Sequence, residues 1–171
     1  MEKGVFAILL AFTIVMSLAG VLRGKLHAMQ AVAITGFIVC VCFLYATTFF
    51  TRRPMGVRQF RCLLTVDWRL FRAGVQSEID QITLNIILFL PFGILWDIIR
   101  KNRSSIFEII CIGAVLSLSV ETMQYFSTRG VFDIEDLLTN IMGMFIGGVL
   151  IKTFYLLYRI WEKLVNAKKQ D

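Results

Sequence analysis

The sequence predicts an all-α polytopic membrane protein, a bundle of about five transmembrane helices, and three observations carry that expectation. Of its 171 residues, 57% are hydrophobic and only 18% charged. An ordinary soluble domain carries roughly a quarter charged residues and a little under half apolar ones. The mean hydropathy is +0.74. The apolar residues are also gathered into runs long enough to cross a bilayer, which takes about 20 residues each. A soluble helical bundle would instead return to a polar residue every three or four positions.

The first span is read at residues 4–22, after Lys3. This run is longer than the apolar part of a signal peptide, and no small-x-small cleavage pattern ends it, so it is expected to be retained as a helix. The second is residues 31–50, the third 82–99, the fourth 106–126 and the fifth 137–158. The connections 23–30 and 100–105 are short and imply antiparallel neighbours. Trp96, Tyr155, Tyr158 and Trp161 stand near span ends, where aromatic belts are expected. The whole chain, residues 1–171, reads as one domain.

Residues 51–81 form the one long connection. Arg52, Arg53, Arg58, Arg61, Arg69 and Arg72 alternate there with apolar side chains such as Phe60, Trp68 and Phe71. Such a segment is expected to lie on the membrane surface, apolar side down and guanidinium groups among the head groups.

A net charge of +6 does not indicate a nucleic-acid partner here. The basic residues fall between apolar runs, where they flank and orient spans. The partner to expect is the lipid bilayer itself. Cys40, Cys42, Cys62 and Cys111 contain no CxxC pair and read as small hydrophobes, without a disulfide or metal framework. His27 is the only histidine, far from the other polar residues, which argues against a histidine triad or zinc site. No phosphate-cradling loop, dinucleotide fingerprint or nucleophile elbow is present.

Five spans place the termini on opposite sides. Eight Lys/Arg fall on the side of the N-terminus and nine on the other. Short loops near the spans weigh most in such a count. Arg100, Lys101 and Arg103 crowd a six-residue loop without acids, and Lys163, Lys168 and Lys169 follow the last span. The C-terminus is therefore expected in the cytoplasm.

Ionisable and amide side chains inside apolar spans are costly, and they mark function or interhelical contacts. Asn85 opens the third span, Glu121 and Gln124 close the fourth, and Asn140 opens the fifth. Arg129, Asp133, Glu135 and Asp136 occupy the loop between the last two. Up-down threading alone brings all of them to one membrane face. Ser117, Glu121 and Gln124 share one helical stripe, as do Asp133, Asp136, Asn140, Gly143 and Gly147 if their helix begins near Asp133. Glu121 lies roughly 7 Å inside its span end at 1.5 Å per residue. A carboxylate there needs a partner, with Arg129 a candidate, or a wet cleft, or a raised pKa. Structural readings stand beside these. Asp133 and Asp136 can cap the fifth helix, Asn85 and Asn140 can tie helices together, and Gly143-x-x-x-Gly147 can be a close-packing seam. Pro91 frees a carbonyl near Ile87 and is expected to kink the third helix.

At these residues the sequence resembles the VanZ-like family of bacterial membrane proteins. The likeness is carried by Asn85-Ile-Ile-Leu-Phe-Leu-Pro91-Phe-Gly93, by Glu121-Thr-Met-Gln124, and by Asp133-Ile-Glu-Asp136-Leu-Leu-Thr-Asn140-Ile-Met-Gly143. These motifs lie within residues 80–148. Family members often carry a Leu-x-Pro-Phe segment before the third span; here Leu63-Leu-Thr-Val-Asp67-Trp-Arg stands without the Pro-Phe. The resemblance implies a multi-pass protein of the bacterial cytoplasmic membrane, whose founding relative confers low-level resistance to the lipid-tailed glycopeptide teicoplanin.

Three functions follow as expectations. The first is a non-catalytic site at the outer membrane interface, in which Asn85, Glu121, Gln124, Arg129, Asp133, Asp136 and Asn140 receive a lipid-linked cell-wall precursor or a lipoglycopeptide. The second is an intramembrane enzyme on a lipid-linked substrate, with Glu121, Asp133 and Asp136 as weak candidates for holding a divalent cation or as acid and base. The third is a structural partner of an envelope complex. No other cofactor is indicated.

Overall fold

A computed structural model describes residues 2–24, 26–50, 54, 56–61 and 75–168. Five helices dominate it: α1 (Glu2–Leu22), α2 (Ala28–Phe50), α3 (Val75–Ile99), α4 (Ile106–Ser127) and α5 (Ile134–Ala167). Four of them are long and apolar enough to cross a membrane, and α1 adds a shorter apolar stretch, Ala11–Leu22, within its described side chains. Two three-residue strands, β1 (Gln59–Arg61) and β2 (Val131–Asp133), pair in parallel.

Helix ends follow the local chemistry. Ser105 caps α4 by accepting the Glu108 backbone N–H at 2.9 Å, which satisfies a donor that has no partner within the helix. At its other end Thr128 adopts the left-handed conformation with φ 55° and returns its N–H to the last turn. Lys101 and Asn102, both left-handed, make the tight reversal between α3 and α4. Helix α3 begins seven residues before the expected span. Residues 75–81 contain no proline or glycine to stop it, so the helix continues past its apolar run, which begins at Ile79. For the same reason α5 reaches Ala167, well beyond residue 158.

The packing centres on α3 and α5. A methyl group placed on Gly143 would sit 2.4 Å from the Ile86 carbonyl oxygen, and one on Gly147 would sit 2.0 Å from that of Leu90. From the opposite helix, a methyl on Gly93 would meet the Met144 carbonyl at 2.1 Å. The expected glycine seam is therefore present, and only glycine allows backbones this close. In a bilayer, where lipid is as apolar as leucine, such close packing drives helix association. Beside the seam, Leu44, Phe89, Phe92, Ile109, Val120 and Met144 form the buried core, with Phe37 edge-on to Phe92 at 5.3 Å. Tyr45 Oη and Ser119 Oγ, 2.6 Å apart, join α2 to α4. Outward faces carry exposed apolar side chains such as Leu84, Val115 and Phe154, the surface a lipid solvent requires.

The long connection departs from a simple surface segment where it is described. Phe60 of β1 stacks on Phe132 at 5.1 Å, and the Arg58 guanidinium lies over the Tyr125 and Phe126 rings. Strand pairing gives backbone groups of the α4–α5 loop partners they would otherwise lack. Arg52, Arg53, Cys62, the segment 63–69, Arg72 and Lys169 lie outside the described residues. Cys40 and Cys42 are half-buried, whereas Cys111 is exposed on the outer face of α4.

Candidate functional site

Helices α3, α4 and α5 deliver their polar residues to one end of the bundle. On α4, Gly113, Ser117, Glu121 and Gln124 follow one buried stripe; on α5, Asn140, Gly143 and Gly147 do the same. Side chains three or four residues apart stack on one helical face, which places both stripes toward the interior.

A cavity of about 200 Å³ opens where these stripes meet the end of α2. Asn85, Glu121, Gln124, Asp136 and Asn140 line it, with Thr47 and Thr48 of α2. Its apolar part comes from Leu44, Leu88, Phe89 and Val120. Glu121 is 1% exposed and its Oε2 accepts the Asp133 backbone N–H at 2.9 Å. The Asn85 amide donates to Asp136 Oδ1 at 2.8 Å and to Thr139 Oγ1 at 3.2 Å. Asn140 donates to Ser117 Oγ at 3.0 Å. Asn85 and Asn140 thus tie helices together and line the cavity at once. The buried carbonyl oxygens of Gln124 and Asn140 find no hydrogen-bond partner among the described residues.

Two expected site residues stand apart from the cavity. Asp133 caps α5, its carboxylate accepting the Glu135 N–H at 2.9 Å. Arg129 sits half-buried in the turn after α4, its backbone N–H bonded to Gln124 O. Among the described residues, no three His, Cys, Asp or Glu side chains form a metal-holding group. Glu121, Asp133 and Asp136 do not converge, because the Asp133 carboxylate is turned toward its helix end.

This arrangement, a glycine seam with a cavity walled by the Glu121 and Asn140 stripes, occupies the region that carries the family motifs. Residues 5–157 match the VanZ/LLP1 family. The chain belongs to that family. It is also similar to protein VanZ of Enterococcus faecium, 34% identical over 87 residues, which is 51% of this chain and 49% of the relative. The match thus spans about half the length of that relative. No solved structure matches the chain.

The VanZ-like fold holds a second polar cluster that the sequence reading passed over. Asp97, fully buried at the other end of α3, accepts Lys152 Nζ at 2.8 Å and the Ser104 hydroxyl. Lys152 also donates to the Ser104 carbonyl at 2.7 Å. Nearby, Glu108 takes the Trp96 indole N–H at 3.1 Å and Arg100 at 3.0 Å. Polar residues are therefore concentrated at both ends of the last three helices. The signal was available: Lys152 is a charge inside the fifth apolar run, and the rule that singled out Glu121 applies to it equally.

Proposed function

We propose that the chain acts in the bacterial cytoplasmic membrane as a binding protein, contributing to glycopeptide (teicoplanin) resistance or to envelope homeostasis through the cavity at Glu121. The observation that carries this reading is the gathering of Asn85, Glu121, Gln124, Asp136 and Asn140 around one cavity in a chain whose outward faces are apolar. Buried polar side chains in a membrane protein face a pathway or a ligand unless they pair with one another, and the Gln124 oxygen finds no partner among the described residues. The acid-free loop of Arg100, Lys101 and Arg103 supports a cytoplasmic C-terminus, which turns the cavity toward the outer face. The ligand class is the polar part of a lipid-linked cell-wall precursor or of a lipoglycopeptide.

Glu121→Gln tests the reading. The amide keeps an acceptor for the Asp133 N–H and nearly the same shape, so the protein should reach the membrane at normal abundance. Teicoplanin susceptibility of cells carrying this variant should equal that of cells lacking the gene. Full resistance at normal abundance would refute a functional role for the carboxylate.

A further inference from the structure

We propose that the end of α5 is a self-association surface, on which two copies of the chain pair side by side in the membrane. This surface is separate from the cavity and does not depend on what the cavity binds. Lys152 reaches Asp97 and the Ser104 carbonyl, so the last turn of α3, which ends at Ile99, lies level with Lys152. Helix α5 runs on to Ala167, and from Leu156 to Lys168 every residue except Val165 is exposed. This overhang is largely apolar: Leu156, Leu157, Tyr158, Ile160, Trp161 and Leu164 are 47% to 63% exposed. The helix has 34 residues, about 51 Å at 1.5 Å each, whereas a bilayer with its head groups is about 40–45 Å thick. No glycine or proline follows Gly148, so the helix has no point at which to bend down onto the membrane surface. Lipid therefore leaves Trp161 and Leu164 to be covered by protein. The connection 62–74 cannot do it. It leaves Arg61 beside Asp133 and enters α3 ahead of Asn85, which bonds Asp136. Both points lie at the other end of α5, about 30 Å from Leu156, and thirteen residues out and back reach about 25 Å at most.

The pattern of the overhang fits a second copy. Leu150, Phe154, Leu157, Trp161 and Leu164, all exposed, are spaced four, three, four and three, which is the seam of two helices coiled around each other. Arg159, Glu162, Lys163 and Asn166 fall on the opposite face. The positions flanking the seam, Tyr158, Ile160, Val165 and Ala167, are uncharged. Charges at such positions are what direct a helix to a different partner. The bilayer holds two copies parallel, so Leu157, Trp161 and Leu164 each meet their own counterpart about a two-fold axis along the membrane normal. Lys168, next on the seam, falls at the helix end, where its long side chain turns out into water. Five side chains per copy, two of them rings, supply roughly half of the ~800 Å² per partner of a standard interface. Pairing is therefore reversible, and it relies on the high local concentration that confinement to one membrane gives.

The test is disulfide cross-linking of the full chain in phosphatidylcholine vesicles, with Cys40, Cys42, Cys62 and Cys111 replaced by alanine and one new cysteine at a time. Under copper phenanthroline, Leu157→Cys and Leu164→Cys should form covalent dimers about fivefold or more faster than Glu162→Cys and Asn166→Cys, which are as exposed but on the other face. Adding Trp161→Lys to Leu164→Cys places two like charges across the seam and should bring its rate down to that of Glu162→Cys. Trp161 lies outside the buried core, so the melting temperature of that variant should be unchanged. If it does not fold, the four single cysteines decide the matter by themselves. Equal rates on both faces would mean random collision and would overturn the proposal. So would the absence of cross-linking at Leu157→Cys and Leu164→Cys, which would assign the stripe to lipid or to a different protein.

Discussion

Gly143→Ala should damage the protein twice, once in its packing and once in its site. The added methyl would lie 2.4 Å from the Ile86 carbonyl oxygen, whereas ordinary contacts begin near 3.4 Å. Backbone atoms cannot rotate aside, so α3 and α5 must separate locally by about 1 Å. A gap of that size forfeits roughly a quarter to a half of each contact's attraction along the seam, and overpacking of this kind costs about 1–3 kcal/mol. Asn85 is the residue next to Ile86, and its 2.8 Å bond to Asp136 spans the same two helices. Opening by about 1 Å carries that bond past the distance at which it holds, for a further loss of about 1 kcal/mol. Thermal unfolding of the detergent-solubilised protein should fall by on the order of 5 °C or more. Gly36→Ala is the internal control, because its methyl would meet Leu95 at an ordinary 3.5 Å; it should be neutral or slightly stabilising. Equal melting of Gly143→Ala and Gly36→Ala would refute the claim that backbone approach, and not helix propensity, is what these positions require.

Lys152→Met should destabilise the fold by about 3–5 kcal/mol by leaving Asp97 buried without its cation, and the double variant Asp97→Leu/Lys152→Met should recover most of that loss. Reversible unfolding of the three variants measures it, and a double variant no better than Lys152→Met would show that the pair contributes more than mutual neutralisation. Ser105→Ala removes the cap on the Glu108 N–H and should cost about 1 kcal/mol, seen as faster amide hydrogen exchange confined to the first turn of α4. Exchange unchanged from the parent protein would mean that solvent or head groups satisfy that turn.

Run length made the helices legible, because a bilayer demands some twenty consecutive apolar residues and little else. Helix ends were less so. Once a helix leaves the hydrocarbon, nothing but a breaker stops it, and neither residues 75–81 nor the stretch after Tyr158 supplies one at the expected place. The strand pair was invisible for a different reason: three residues at β1 carry no readable periodicity, and their partner lies about seventy positions away. Within the site, spacing placed Glu121, Gln124 and Asn140 on inward stripes. It could not separate Asp133, whose carboxylate serves its own helix end, from Asp136, whose carboxylate faces the cavity. That division depends on where the first turn of α5 begins: a start three residues later would make Asp136 the cap.

The two polar clusters and the glycine seam between them form one mechanical unit. Asn85 to Asp97 on α3 spans twelve residues and Asp136 to Lys152 on α5 sixteen, about 18 Å and 24 Å along the two helices. The Asn85–Asp136 bond therefore closes one end of the α3–α5 pair and the Asp97–Lys152 pair closes the other, with Gly93, Gly143 and Gly147 in backbone contact between. Polar contacts and close approach are the forces that hold helices together where no hydrophobic drive exists, and here both act on the same two helices. The cavity lies beside this pair, and its remaining walls come from α2 and α4, which meet α3 through side chains such as Phe37 and Phe92. Two walls of the cavity are thus fixed by backbone packing and two by side-chain packing.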